Sequence, residues 1–431
     1  MKLNYGKTFL LGFGFFGVSV IWAVYNAFVP IFLEKKFGLP PEWIGFFMTL
    51  DNIAALLILP PIGAWSDNLR TRIGRRMPFI LLGAPIAAVA FGVIPIASVL
   101  PLFVAGTGTL MLSMAMWRTP VVALMPDITP SHYRSQANGI INFMGGIGAI
   151  IAFLVGANLY DRNPAFPFWM GSVLVIVAAV MVFLFIKEPT LYEAKEKEPS
   201  MLASLREVIA DPDKSGLRIL LAIFFWFLGY AAIEAFFSLY AVNHLGLKDS
   251  DGARLLSGLS IVFVIFALPS GYIGAKIGRR TTIIAGIVVM SAVMVIMFFL
   301  PPAVLISPLA KLPVVGIQLN PDSKDSYLIV IGLLLMFAGM GWALININSL
   351  PMVVDMTVPA RIGTFTGLYY LFSTFSAIVG PNVNGWIISL TGRNYNAVMI
   401  VAPIFMVLAL VMMIGVKRGE AVMPPTAVAA D

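Results

Sequence analysis

Twelve apolar runs, each long enough to cross a bilayer that requires about 20 residues, constrain this chain more than any other feature. The first six lie at roughly 8–33, 43–65, 77–98, 101–125, 136–158 and 166–187, and the second six at 218–243, 253–275, 281–300, 327–354, 362–389 and 395–416. Charged residues make up only 11% of the chain, against roughly 25% in soluble domains. In lipid, backbone polar groups must be hydrogen-bonded within the spanning structure. The sequence therefore predicts an all-α integral membrane protein with twelve transmembrane helices.

The first and seventh spans carry matching residues 208 positions apart. Trp22 aligns with Tyr230, and Asn26 aligns with Glu234. Because residues four apart lie on one face of a helix, each span presents an aromatic ring and a polar group on the same side. A polar group inside a membrane is costly and usually functional. These four residues are therefore the first candidates for a functional site.

Two further pairs of segments match between the halves of the chain. Arg72–Arg76 follows the second span and Lys276–Arg280 follows the eighth. A segment from Asp127 to Gly139 joins spans four and five, and one of equal length, from Asp355 to Gly367, joins spans ten and eleven. These repeats predict two pseudo-symmetric six-helix bundles. Carriers built in this way hold their substrate between the bundles, near mid-membrane.

The same pattern predicts where the chain divides. We expect an N-terminal six-helix bundle over 1–187, a cytoplasmic linker over 188–217, a C-terminal six-helix bundle over 218–416 and a cytoplasmic tail over 417–431. With both termini in the cytoplasm, 19 of the 28 lysines and arginines fall on the cytoplasmic side, as the positive-inside rule requires. A multi-pass protein of the cell (inner, cytoplasmic) membrane is predicted. This topology explains the net charge of +7 better than nucleic-acid binding does.

Several classes of site are excluded by composition. The chain has no cysteine and two histidines, which leaves no thiolate metal site, no disulfide and no histidine-rich metal centre. No phosphate-binding loop is present, and no nucleophile–base pair suggests an enzyme. We expect no cofactor, no metal and no catalytic residue, and a monomer in the lipid bilayer.

Two carboxylates inside the spans could carry a proton. Asp51 lies eight residues after Trp43 in the second span, and Glu234 lies about nine residues from the outer end of the seventh. A carboxylate in such surroundings can exchange a proton as the cavity changes sides. Glu234 occupies the symmetric position and is preferred, but Asp51 remains open.

Aromatic and amide side chains predict the substrate site. Amides offer a donor and an acceptor to a hydroxyl group, and aromatic faces suit the C–H faces of a pyranose ring. Arg118 lies inside the fourth span, too deep to reach the surface easily. The predicted substrate-binding residues are Trp22, Tyr25, Asn26, Arg118, Asn142, Tyr230, Trp342, Asn346 and Tyr369.

Charged residues at the cytoplasmic ends of spans predict a gate. Asp67 can pair with arginines across the tight loop that follows the second span. The corresponding loops of both halves contain the same arginine pair. The predicted gating residues are Asp67, Arg72, Arg75, Arg76, Asp127, Arg134, Arg279, Arg280, Asp355 and Arg361.

The segment Gly63–Arg76 resembles the signature loop of the major facilitator superfamily. Its ending, Arg75-Arg76-Met77-Pro78-Phe79-Ile80, is similar to that of sucrose-transporter-like members, with Met77 in place of a third arginine. Trp117–Pro120 resembles the fourth span of glycoside–pentoside–hexuronide:cation symporters, in which an acidic residue can stand where Arg118 stands here. The segment Gly341–Trp386 also resembles sucrose-transporter-like carriers.

These resemblances imply a proton-coupled symporter for a sugar, such as the glucosides sucrose or maltose, with sodium as the other possible ion. Two alternatives stay open. One is a cation-coupled carrier or exporter of another small solute, such as an amphipathic drug. The other is a membrane enzyme or receptor that reuses the carrier fold.

Overall fold

The computed structural model describes residues 4–129, 134–188, 201–299, 324–357 and 362–419, which are helical with short connections. The first half contains α1 (Tyr5–Ile31), α2 (Pro41–Phe47), α3 (Leu50–Asn68), α4 (Met77–Val93), α5 (Leu100–Ile128), α6 (Arg134–Tyr160) and α7 (Phe166–Phe185). A short helix, α8 (Met201–Ala210), precedes the second half. The second half contains α9 (Ser215–Asn243), α10 (Asp251–Ile277), α11 (Arg279–Phe299), α12 (Lys324–Val354), α13 (Ile362–Leu390) and α14 (Val398–Ile414).

Eleven segments of the described residues are long and apolar enough to cross a membrane. They coincide with every predicted span except 362–389. That span forms α13, a helix of 29 residues, which at about 1.5 Å per residue is also long enough to cross. The side chain of Ile362, at the start of α13, lies outside the described residues, and the length of the helix supports its place among twelve spans.

Two predicted spans are locally irregular. The second is divided into α2 and α3 at Met48 and Thr49, where the Thr49 hydroxyl donates to the carbonyl of Phe46 at 2.7 Å. The first continues beyond α1 as a π-helical turn, Phe32–Lys36. Such turns are rare and occur frequently at functional sites.

The two halves repeat the same packing. In the first half, α1 packs on α6 and α7, α5 packs on α3 and α4, and α4 packs on α7. In the second half, α9 packs on α13 and α14, α12 packs on α10 and α11, and α11 packs on α14. Between the halves, α1 packs on its counterpart α9, while α2 on α13 mirrors α10 on α6. The predicted pair of pseudo-symmetric six-helix bundles is therefore confirmed, whereas the predicted domain boundaries stay predictions.

We call the side on which α1 begins the near face and the side on which it ends the far face. At the far face, the halves approach each other closely along α2 and α13. A Cβ at Gly45 would lie 2.3 Å from the carbonyl oxygen of Pro381. A Cβ at Gly385 would lie 2.6 Å from the carbonyl oxygen of Pro41. Glycine is required at both positions because only the missing Cβ permits this backbone contact.

The near-face parts of α3 and α10 are instead exposed. Trp65 on α3 is 58% exposed, and Leu268 and Tyr272 on α10 are 85% and 70% exposed. The hydrogen bonds and ion pairs found between the halves in the described residues cluster from mid-depth to the far face. The molecule is therefore closed at the far face, and its halves lie further apart at the near face.

Candidate functional site

The matched residues of the first and seventh spans meet at mid-depth. The Asn26 amide on α1 donates to the Glu234 carboxylate on α9 at 3.1 Å. Because the two residues hold corresponding positions in the two halves, their contact lies close to the pseudo-twofold axis that relates the halves. At mid-depth, a hydrogen bond to a carboxylate thus joins the two bundles.

Trp22 and Tyr25 lie beside this bond on α1. Their rings meet edge to face, with centroids 5.6 Å apart and an interplanar angle of 80°. The indole nitrogen of Trp22 and the hydroxyl of Tyr25 are buried and have no hydrogen-bond partner among the described residues. Buried polar atoms are nearly always paired, and unpaired ones are typical of sites that a ligand or water completes.

Asp51 and Arg118 bring opposite charges to the same region from α3 and α5. The Asp51 carboxylate accepts a hydrogen bond from the Asn52 amide at 2.9 Å. It also lies within electrostatic range of Arg118, Tyr25 and Glu234. In the described part of the chain, the Arg118 guanidinium has neither a hydrogen bond nor an ion pair within 4.0 Å.

An aromatic cluster forms the opposite wall in the second half. Tyr230 stacks on Trp342 with ring centroids 3.9 Å apart and an interplanar angle of 5°. Phe227 meets the edges of Trp342 and Tyr369 at 5.3 and 6.1 Å. The Tyr369 hydroxyl is 3.1 Å from that of Ser349, which fixes its ring. Three helices, α9, α12 and α13, thus hold one rigid aromatic surface.

The two remaining predicted substrate residues are Asn346 on α12 and Asn142 on α6. Asn346 is half-buried one turn beyond Trp342 on α12. Asn142 is exposed on α6, and its described hydrogen bonds both go to Asn138. One turn further along α6, a Cβ at Gly146 would lie 2.3 Å from Val264 of α10, which places Asn142 on the side of α6 that faces the second half. Its contact with substrate stays a prediction.

At the near face, four predicted gating residues of the first half, Asp67, Arg75, Arg76 and Asp127, form one ionic cluster. Arg76 is 2% exposed, and its guanidinium contacts Asp67, Asp127 at 3.1 Å and the hydroxyl of Ser66 at 2.5 Å. Arg75 pairs with Asp127 at 2.8 Å. The cluster ties the ends of α3, α4 and α5 together within one bundle.

Glu188, which was not predicted as a site residue, completes that cluster. Its carboxylate accepts hydrogen bonds from three consecutive backbone N–H groups, those of Arg75, Arg76 and Met77, at 2.7 to 3.1 Å. These groups open α4, whose N-terminus favours negative charge. Gly74 permits the contact because a Cβ there would lie 2.5 Å from the carboxyl carbon, at a φ of +111°. The sequence signal that could have identified Glu188 is a charged residue directly after the end of the sixth predicted span.

The corresponding near-face loop of the second half is shorter, and its arginines have different partners. A single residue, Gly278, separates α10 from α11, whereas residues 69–76 separate α3 from α4. Arg279 pairs with Asp355, and Arg280 donates to the carbonyls of Met413 and Ile414 at the end of α14. Arg72 is exposed. The side chain of Arg134 and all of Arg361 lie outside the described residues. The gating role of all ten predicted residues stays a prediction.

The far-face contacts between the halves were also not predicted. Glu34 and Lys35, at the end of the first span, bond Tyr395, Asn243 and Asp249 of the second half. Asp161 bonds Ser250 and pairs with Arg254. Charges at the ends of spans are ordinarily solvated, and their partners depend on how the bundles are oriented, which the sequence does not state.

Comparison with known proteins agrees with this architecture. The Major Facilitator Superfamily profile matches residues 11–320 and 255–429. Multidrug resistance protein 2 of Bacillus subtilis is 25% identical over 276 residues, 62% of this chain and 66% of that protein. The cis,cis-muconate transport protein of Acinetobacter baylyi is 21% identical over 274 residues, 62% of this chain and 60% of that protein. The quinolone resistance protein NorA of Staphylococcus aureus is 24% identical over 268 residues, 61% and 64% of the two chains.

Solved structures share the fold along nearly the whole chain. A bacterial homologue of the human lysosomal transporter Spinster, in an inward-facing and unoccupied conformation, superposes with a TM-score of 0.72 at 16% identity, covering 96% of this chain and 97% of that one. A mutant of the nucleoside transporter NupG gives a TM-score of 0.74 at 15% identity, covering 95% and 100%. With its repeated bundles and a profile match over most of its length, this chain belongs to the major facilitator superfamily.

Proposed function

We propose that the protein is a proton-coupled sugar symporter that works by alternating access and carries a glucoside such as sucrose or maltose. The observation that carries the proposal is the Asn26–Glu234 hydrogen bond, which joins the two bundles at mid-depth beside an aromatic wall. A proton carrier that is also a contact between the halves can couple protonation to their movement.

Glu234 is the proposed proton carrier, with Asp51 as the alternative. As a carboxylate, Glu234 accepts a hydrogen bond from the Asn26 amide. Protonation removes its charge and weakens this charge-assisted bond. Arg118 lies within electrostatic range of Asp51. A sugar hydroxyl that binds Arg118 would alter this interaction, so that substrate and proton can affect each other.

The sugar is proposed to bind between the walls. Trp22, Tyr230 and Trp342 offer aromatic surface, and Asn26, Asn346 and Arg118 offer hydrogen bonds. Tyr25 and Tyr369 shape the site, and Asn142 contacts the solute on its way to the near face. The near-face charges, Asp67 to Arg76 and their counterparts in the second half, are proposed to gate that exit.

The near face is proposed to be cytoplasmic because the positively charged loops lie there. In that orientation the described conformation is open to the cytoplasm and closed outward. A proton entering down a membrane potential of about 100 mV supplies about 2.3 kcal/mol, enough for roughly fifty-fold accumulation of sugar. We propose a monomer in the cell membrane with cytoplasmic termini.

A second candidate is a cation-coupled carrier or exporter of another small solute. Arg118 favours it, because a guanidinium without a partner among the described residues suits an anionic group better than a hydroxyl. The relatives include a muconate transport protein and multidrug resistance proteins. An organic acid with an apolar body would fit both Arg118 and the aromatic wall.

Proteoliposomes that contain the purified protein distinguish these functions. External pH is recorded while sucrose, maltose and muconate are added in turn. Alkalinisation with a sugar, lost in Glu234→Gln and kept in Asp51→Asn, supports sugar symport with Glu234 as the proton carrier. A response to muconate alone supports the second candidate. Labelled sugar that enters without any pH change contradicts proton coupling.

A further inference from the structure

The end of the first span places three consecutive charged residues at the far face. Phe32–Lys36 is a π-helical turn, in which the N–H of Phe37 bonds the carbonyl of Phe32, five residues back, at 3.2 Å. The turn carries Glu34, Lys35 and Lys36. Glu34 has two partners, and each lysine has one.

Glu34 reaches two helical segments of the other half. One carboxylate oxygen accepts from the Tyr395 hydroxyl at 2.5 Å, and the other accepts from the Asn243 amide at 2.8 Å. Tyr395 is buried just before α14, and Asn243 ends α9. Hydrogen bonds to a charged group are about twice as strong as neutral ones, so this carboxylate is a firm link between the bundles.

Lys35 and Lys36 differ in the half that they bind. Lys35 pairs with Asp249 of the second half at 2.5 Å, with both side chains partly exposed. Lys36 donates to the carbonyl of Pro95, within its own half, at 2.9 Å. A cavity of about 460 Å³ lies beside Lys35 and Asp249 and gives the lysine room to move when the pair breaks.

We propose that the Phe32–Lys36 turn is the far-face gate and that Glu34 and Lys35, but not Lys36, hold it closed. Opening the far face must break the bonds of Glu34 and Lys35 because their partners belong to the other bundle. The Lys36 bond can persist because Lys36 and Pro95 move together. The inference rests on alternating access but on no particular substrate.

The natural absence of cysteine allows a direct test. Thr49 is fully buried and bonds Asn382 across the far-face interface, so Thr49→Cys reports opening by its rate of reaction with a maleimide. We expect Glu34→Ala and Tyr395→Phe in this background to react up to about tenfold faster. The matched control Lys36→Gln should react at the parent rate. Lys35→Asp should react faster, and adding Asp249→Lys should restore the slow rate.

Equal rates for Glu34→Ala, Tyr395→Phe and the parent would overturn the proposal, as would acceleration by Lys36→Gln to the same extent. Tyr395→Phe removes only a hydroxyl, so misfolding does not confuse the result. Labelling needs neither sugar nor a pH gradient. Unchanged labelling with sugar-driven proton uptake intact would reject the gate and keep the symporter. Faster labelling without any sugar uptake would keep the gate and reject the symporter.

Discussion

The far and near faces of the molecule use their charged residues in different ways. At the far face, Glu34, Lys35 and Asp161 bond residues of the other bundle. At the near face, Arg76 and Arg279 pair with carboxylates of their own bundle. The same types of residue therefore join the bundles at one face and consolidate each bundle at the other.

This difference indicates which contacts have to change during transport. When bundles move as rigid bodies, contacts within one bundle persist and contacts between bundles break. The far-face bonds are therefore part of the conformational equilibrium. The near-face pairs can act as gates only if they gain partners across the interface once that face closes.

The largest effect is expected from removing a near-face contact that lies within one bundle. Arg76→Ala would leave Asp67 without its main partner and Asp127 with Arg75 alone, and breaking a buried ion pair costs about 3–5 kcal/mol. The midpoint of thermal unfolding in detergent should fall markedly. Arg72→Ala, at an exposed position, is the control and should stay within about 0.5 kcal/mol. Equal midpoints would show that the cluster does not stabilise the bundle.

Glu188→Ala is expected to have a smaller effect of the same kind. It removes the acceptor of three backbone N–H groups at the start of α4, which costs about 1–3 kcal/mol. Glu188→Gln keeps an acceptor oxygen and should recover part of the loss. If the free energy of unfolding is unchanged but Thr49→Cys reacts faster, the Glu188 carboxylate affects the contact between the bundles. That result would contradict the view that near-face contacts stabilise single bundles.

Asn26→Ala tests the contact at mid-depth, where the two regions meet. Losing one hydrogen bond to a carboxylate shifts the equilibrium between conformations by about 1–2 kcal/mol. The thermal midpoint should change little, while the reaction rate of Thr49→Cys should rise. A large fall in the midpoint with an unchanged labelling rate would make this bond a contributor to folding rather than to movement.

The smallest effect concerns pH at the far face. Burial alone would raise the pKa of Asp161, but hydrogen bonds from Ser250 and Arg254 and the Arg254 charge hold the pKa below its usual range. A carboxyl with a lowered pKa stabilises above its unfolded pKa of about 3.9, and the contribution is lost as pH falls through the folded value. The ionisation of Asp161 should therefore cause no change in the labelling rate of Thr49→Cys between about pH 8 and pH 5. Acceleration near neutral pH that Asp161→Asn abolishes would contradict this.

The sequence predicts the fold well because its main determinants are local or repeated. Apolar runs predict all twelve helices, and the offset of 208 residues correctly pairs Asn26 with Glu234 as counterparts. The length of α13 identifies the eleventh predicted span as well. Repetition also predicted that both arginine loops would lie at one face.

Contacts between bundles could not be predicted in the same way. The bonds of Glu34 to Tyr395 and Asn243 depend on how two rigid bodies dock, and nothing in the local sequence of α1 states that orientation. The π turn depends on a shift in backbone hydrogen bonding that apolar periodicity does not reveal. Glu188 was missed because it bonds backbone groups, which carry no residue-specific signal.

The most direct test of the account uses pairs of spin labels in the cysteine-free chain. One pair, at Arg162 and Thr391, spans the halves at the far face, and the other, at Ile73 and Lys276, spans them at the near face. Adding transported sugar at acidic pH should lengthen the far-face distance and shorten the near-face distance together. Transport with both distances unchanged, or with both changing in the same direction, would contradict alternating closure of the two faces.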